Sequence, residues 1–292
     1  MIAGATAANS QTTNLLLGKL LSNQVKALGP RRELRDTEFR VCSQFGDDGI
    51  IQYLIHNIPV ENDSFIEFGV EDYTEANTRF LLLNDNWRGL IMDASAENMA
   101  RVRREDIYWR HDLTSICKFI SRENINELIS SAGFSGPIGL LSIDVDGNDY
   151  WIWEAISVVD PAIVVIEYNS VFGIERALSI PYNQAFWRTS AHSSNLFWGC
   201  SLRALCLLAD RKGYVFVGSN SNGNNAYFVK REYSGSVLVK TPEEGYVTSR
   251  FRESRDPTGQ LTFVGGEKRR ALIADMMVTD VETNVLVRLG DI

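Results

Sequence analysis

From residue 46 onward, short apolar runs alternate with stretches whose apolar residues recur at helical spacing. Asp47 and Asp48 open a helix whose apolar face is Ile50, Ile51, Leu54, Ile55 and Ile58. Residues 64–68 read as a strand, and Thr74 is placed to cap a helix reaching about Leu83. Residues 89–92 form a strand ending at Asp93, followed by a helix over 96–104. A short third strand is read at 107–109 and a helix at 122–131. The run 138–143, bounded by Gly136 and Pro137, reads as a buried strand; a helix over 150–157 and the most apolar strand, 162–166, follow. Continuously apolar strands that alternate with helices predict a parallel sheet covered on both faces. After a helix over 201–212 the rhythm changes, because runs 214–217 and 226–229 flank a Gly/Asn/Ser loop and should pair as a hairpin. The predicted class is α/β: a Rossmann-like, mostly parallel sheet with a C-terminal antiparallel hairpin and helices on both faces.

The flanks are read differently. Residues 1–13 are small and polar and are expected to be disordered. Leu16, Leu17, Leu20, Leu21, Val25 and Leu28 then predict a helix that ends near Gly29-Pro30. The organisation is thus a tail and helix over 1–40, a main domain over 41–231 with an insertion at 170–198 over the site, and a less regular appendage over 232–292. Within that appendage, residues 271–277 are the stretch that would meet a second subunit in a homo-oligomer.

Length and composition narrow the function. At 292 residues and 45% hydrophobic content the chain can bury a sizeable core. A net charge of −8 argues against a nucleic-acid partner, which needs a basic face to neutralise phosphates. Cys42, Cys117, Cys200 and Cys206 show no metal-binding spacing, so a reducing cytoplasm is the expected location. The Leu-rich N-terminal stretch is interrupted by Gly18 and Lys19 and reads as neither a signal peptide nor a membrane span.

Candidate chemistry sits where predicted strands end, the edge at which open α/β sheets bind ligands. The run 138–143 leads straight into Asp144, Asp146, Asn148 and Asp149, oxygen groups suited to a hard cation or a sugar hydroxyl, or else to capping the next helix. In 65–69 an acid, Glu67, precedes Gly69, where a ligand can approach the backbone closely. Asp93 ends the next strand, at the distance where nucleoside-binding sheets place an acid on ribose hydroxyls; capping the helix after Ala94 is the alternative. Arg110, His111 and Asp112 end the third predicted strand, where an adenine or plain solvent would lie.

The segments 43–51, 65–69, 77–79, 81–84, 87–90, 141–151, 165–169 and 225–229 together resemble the FkbM-like S-adenosylmethionine (SAM)-dependent methyltransferases, of class I. The Asp-Gly-Asn-Asp-Tyr-Trp element at 146–151 is the most distinctive part of a match spanning 41–231. The resemblance implies a methyltransferase that uses SAM to methylate a hydroxyl of a sugar, glycan or natural-product acceptor. It implies Glu67 and Gly69 at the methionine end, with Asn77 in the cofactor site. It also implies Asp93 with Ala94 at the ribose, Asp112 near the adenine, and Asp144 facing both sulfonium and acceptor. One departure is local: many relatives carry further glycines after Gly69, whereas this chain has Val70, Glu71 and Asp72.

On the acceptor side, Asp144, Asp146, Glu167 and Asn169 lie at the ends of two neighbouring predicted strands. They form either a site for a divalent cation, Mg²⁺ or Ca²⁺, or a metal-free polar network. Asp144 and His192 are the candidate catalytic groups, His192 as a general base within the insertion. Two further readings remain open. Asp144-Val-Asp146 is also the DxD of a metal-dependent glycosyltransferase, and the single-glycine loop fits a methyltransferase-like binding protein without catalysis.

Overall fold

The computed structural model describes residues 2–292. A long helix α1 (Ile2–Ala27) leads into α2 (Asp47–Asn57), β1 (Ser64–Phe68), β2 (Arg88–Asp93), α3 (Ala96–Val102) and α4 (Asp106–Arg110). Then come β3 (Leu113–Cys117), α5 (Ile125–Ser131), β4 (Gly136–Ile143), α6 (Asp149–Ala155) and β5 (Val159–Glu167). The chain finishes with β6 (Leu178–Ser179), α7 (Arg188–Ala191), α8 (Leu202–Lys212), β7 (Tyr214–Ser219), β8 (Asn225–Lys230), β9 (Met277–Asp280) and β10 (Val285–Arg288).

Seven strands form one sheet in the order β3-β2-β1-β4-β5-β8-β7. The first five are parallel, β8 runs antiparallel to β5, and β7 closes the edge as its hairpin partner. This is the Rossmann-like, mostly parallel sheet with a C-terminal antiparallel hairpin expected from the sequence. Strand order reverses between β1 and β4, which opens a crevice at their carboxyl ends.

Alternation along the strands builds two cores. Ile66, Phe68, Leu90, Met92, Leu141 and Ile143 face α5, α6 and α8, where Ile125, Trp153 and Leu205 meet them. Phe65, Ile91, Leu140, Ile163 and Val165 face the other way, onto Ile50, Ile51 and Leu54 of α2 and Met99 of α3. Because both faces are covered, these strands read as continuous apolar runs.

The structure departs from the sequence expectations in four places. Helix α1 runs back to Ile2 instead of starting near Leu16, over a segment rich in the strong helix former alanine; Met1 lies outside the described residues. Helix replaces the expected Thr74 start only from 79, because the segment before it folds around a buried carboxylate. Residues 107–109 are helical, within α4, and the third strand is instead Leu113–Cys117. Finally, the insertion and the C-terminal segment fold together. Their strands form one small sheet, β10-β9-β6, over a core of Phe172, Leu178, Phe197, Ile273, Val278 and Leu289. Ile273, within the stretch assigned to a subunit contact, is therefore buried in its own chain.

Candidate functional site

The carboxyl ends of β1, β2, β3, β4 and β5 open into one cleft of about 880 Å³. Glu67, the fourth residue of β1, is buried, and its carboxylate accepts backbone N–H groups of Asn77 (2.9 Å) and Thr78 (3.0 Å). Thr78 Oγ1 and Ser142 Oγ add bonds of 2.5 and 3.2 Å. Burial pushes the Glu67 pKa up while these donors pull it down. Glu67 thus fastens 77–78 to the strand end and fixes the floor of the cleft.

Gly69 follows with φ of +69°, and a Cβ there would stand 1.6 Å from the Asp144 carbonyl oxygen. Only glycine lets the first loop pass so close to the end of β4. Asp93 closes β2: its carboxylate accepts from Glu71 N (2.9 Å) and Ser95 N (2.7 Å), tying the first loop to the second. Ala94, Ser95 and Asn98 line the cleft beside it. Glu71 lies on the same side, its pKa raised by burial and by the Asp93 charge.

Asp112 does not join them. Strand register pairs Gly89 with Leu113 and Asp93 with Cys117, so Asp112 precedes β3 at the opposite edge of the sheet. There it meets Arg88 at 3.7 Å. The expected position near an adenine is corrected by this register shift, since the carboxyl end of β3 carries Lys118, Phe119 and Ile120, all in the cleft wall. Reading Ile-Tyr-Trp as a strand by its β-propensity displaced the assignment by one whole element.

The segment after β4 divides its labour. Asp149 accepts from Val145 N (2.8 Å) and Gly147 N (3.0 Å) and so closes the turn, its pKa pushed by burial up to about 6. Asn148 donates to Asn183 O in the insertion. Asp144 and Asp146 instead face the cleft, where they meet Glu167 from the end of β5; one oxygen of each lies within 4.8 Å of the others. Burial, then the neighbouring acids, hold the pKa values of Asp144 and Glu167 well above the usual carboxylate range. Glu167 Oε2 is buried without a hydrogen-bond partner.

Asn169 lines the same cavity, yet its amide is fully engaged. Nδ2 donates to Leu196 O and Trp198 O, both at 2.9 Å, and Oδ1 accepts from Val171 N at 3.0 Å. It anchors the insertion and has little left for a metal. His192 stands outside the cleft lining, with Nδ1 turned to Ser194 Oγ (2.8 Å) and Ser194 N (3.1 Å).

Several lining residues carried no signal in the sequence. Arg188 of α7 donates to Asp146 (2.5 Å), Glu253 (3.0 Å) and Asn195 O (3.1 Å), and sits over the Trp198 ring at 4.7 Å. Phe186 packs directly onto Gly147, where a Cβ would approach its ring to 2.3 Å. From the far C-terminal segment come Ser249, Phe251 and Glu253; Tyr168 OH holds this strap through Val247 O at 2.6 Å. Buried Arg269, also in the cleft lining, donates to Ser249 Oγ at 2.8 Å. Around the loop between β7 and β8, Asn220 and Asn225 donate to the buried Asp47 carboxylate, as does Tyr227 OH, while Asn224 lines the cleft.

The cleft therefore has two halves. One, floored by Gly69, Asp93 and Phe119, has an apolar slot beside acids; the other is walled by aromatic rings, acids and Arg188. No family model and no curated protein matches the sequence. Among solved structures, the chain is similar to the N-terminal domain of EvdMO1 with SAH bound, at 10% identity and TM-score 0.41 over 71% of this chain and 93% of that one. It is similar to a SAM-dependent methyltransferase from Clostridium acetobutylicum at 10% identity and TM-score 0.40, over 63% and 90%. An O-methyltransferase from Bacillus cereus in complex with SAH gives 12% identity and TM-score 0.37, over 74% and 81%. Likeness at this level carries no argument about activity, which rests on the cleft itself.

Proposed function

We propose that the protein is a SAM-dependent O-methyltransferase acting on a hydroxyl of a sugar, glycan or related small molecule. The observation that carries this reading is that one cleft joins a nucleoside-type half to an acceptor half across the β1–β4 switch point. The donor set suits SAM, whose sulfonium and ammonium make it cationic. Asp93 offers its carboxylate to ribose hydroxyls, Phe119 and Ile120 offer apolar surface to a base, and Glu71 and Asp144 place negative charge along the floor. Bound SAM would supply the methyl group.

The chain's own residues supply the rest. The rings of Trp198 and Phe251 and the groups of Asn224, Ser249 and Glu253 give the acceptor half the mixed apolar and polar lining that a sugar requires. Aligning an acceptor oxygen and excluding water there contribute most of the rate enhancement such a transfer needs. Asp144 takes the hydroxyl proton, because its raised pKa brings it closer to the acceptor than an ordinary carboxylate. Asp144, Asp146 and Glu167 would also hold a divalent cation, with the unpartnered Glu167 Oε2 as a ready ligand, and a cation there would acidify the hydroxyl. His192 drops out as the base, since it does not reach the cleft.

Calorimetry with SAM and SAH, followed by transfer assays on a panel of sugars with and without Mg²⁺, tests the reading. Binding of SAH together with acceptor-dependent methyl transfer is expected. Absence of SAM and SAH binding to the intact chain overturns it.

A further inference from the structure

Helix α1 has two faces of opposite character. Gly18, Ser22 and Val25 face the body of the protein, where Ser22 Oγ donates to Gln52 of α2 at 2.5 Å. A Cβ on Gly18 would come within 2.6 Å of Val41, so the helix lies tight against the domain. On the far side Leu16, Leu17, Leu20 and Leu21, with Leu28 just past the helix end, stand 36–62% exposed. At the helical spacing the four leucines within the helix cover an arc of about 140°, centred away from the packed face. Single exposed leucines are ordinary, but four on one helix face with a fifth beside them form a patch that marks an interaction surface.

Charge identifies what covers it. Through Asp36 the chain carries five basic residues (Lys19, Lys26, Arg31, Arg32 and Arg35) and two acids, Glu33 and Asp36, a net +3 in a protein of net −8. The remaining residues therefore carry −11. Glu33 is ion-paired with Lys240, and Asp36 lies 3.9 Å from Arg35. Arg31 and Arg32 spend donors on the carbonyls of Gly235 and Leu28 and keep their charge exposed. A second copy of this helix is a poor occupant, because each would bring Lys19 and Lys26 without any of the acids that flank helix–helix seams.

We propose that this end of the molecule docks on an anionic lipid surface. Helix α1 would lie in the interface, its leucines at the boundary of headgroups and acyl chains and its basic residues among the phosphates. No helix among the described residues is long and apolar enough to cross a membrane, so the attachment is peripheral. The inference is independent of the methyl-transfer reading.

Co-sedimentation of the intact chain with vesicles of phosphatidylcholine, alone or with phosphatidylserine added, tests it. Binding is expected on the anionic vesicles, weaker by about tenfold on the zwitterionic ones and at high salt. The double variant Leu17→Glu/Leu20→Glu should lose about tenfold in binding while keeping its helical circular dichroism and Tm. Absence of sedimentation overturns the proposal, as does binding that the double variant leaves intact. Light scattering that shows a dimer abolished by the same variant, without vesicle binding, assigns the face to a second copy instead.

Discussion

Replacing Glu167 by Gln should stabilise the protein, and only above the ordinary carboxylate range. One oxygen each of Glu167, Asp144 and Asp146 lies within 4.8 Å of the others, and among the described residues Arg188 is the one cation bonded into the group. Two unit charges at that separation, at an effective dielectric near 20, repel by about 3.5 kcal/mol. Arg188 offsets part of this, so we expect a gain of roughly 1–3 kcal/mol at pH 8 for the isosteric amide. The direction follows from linkage. The folded-state pKa of Glu167 is raised, so the native protein binds a proton that the unfolded chain releases. Its destabilising contribution is therefore absent below the unfolded pKa, near 4.5, and grows as pH rises toward the folded value. Thermal melts in EDTA should show Glu167→Gln above wild type by about 5 °C at pH 8 and level with it near pH 4. Mg²⁺ at about 100 times its Kd should then stabilise wild type by about 2.7 kcal/mol and leave the variant unchanged. A variant less stable than wild type at pH 8, or an offset independent of pH, refutes the account of the cluster. Equal stabilisation of both proteins by Mg²⁺ refutes the cation site alone.

Other consequences are more local. Gly69→Ala combines a positive φ, worth about 1–2 kcal/mol for alanine, with a Cβ that overlaps the Asp144 carbonyl. Urea denaturation should show a total loss of about 3 kcal/mol or more, and calorimetry a SAM affinity at least about tenfold lower. Asp149→Ala leaves the Val145 and Gly147 N–H groups without their acceptor and should cost about 2–4 kcal/mol in the same denaturation assay. Phe119→Ala, at the mouth of the cleft and 41% exposed, should weaken SAH binding about tenfold with a Tm change of only a degree or two; unaltered affinity would remove the adenine from this wall.

What was legible in the sequence follows from the range of the interactions involved. Apolar runs and their periodicity report burial on each strand, and they located β1, β2, β4, β5 and the closing hairpin without aid from distant contacts. Glu67, Asp93 and Asp144 were legible as cleft residues because a carboxylate just after an apolar run has few other places to go. Their specific work was not. Glu67 fastens a loop ten residues away, and Asp149 shares a motif with Asp144 but serves only the turn. The Asp112 error shows how a propensity fails locally. Ile107, Tyr108 and Trp109 favour a strand, but Ile107 is buried while Trp109 is exposed, and the five-residue helix they join follows from packing against β3.

The acceptor wall was invisible for a different reason. Arg188 and Glu253 are 65 residues apart and meet where the insertion and the C-terminal segment fold together, with Arg255 N on Ser194 O and β6 of the insertion paired with β9. That pairing is a two-residue register, Leu178 with Asp280 and Ser179 with Thr279, too short to leave a periodic trace. Residues that would line the cofactor side belong to consecutive strand ends and are encoded nearly in order. Residues that would choose the acceptor come from two appended segments that must first find each other, so acceptor specificity can change through either segment while the sheet and its cofactor half stay fixed. Exchanging 247–253 between chains of this fold should then alter which hydroxyl compound is accepted without altering SAH affinity, and a matching loss of SAH binding would show that the two halves are not separable.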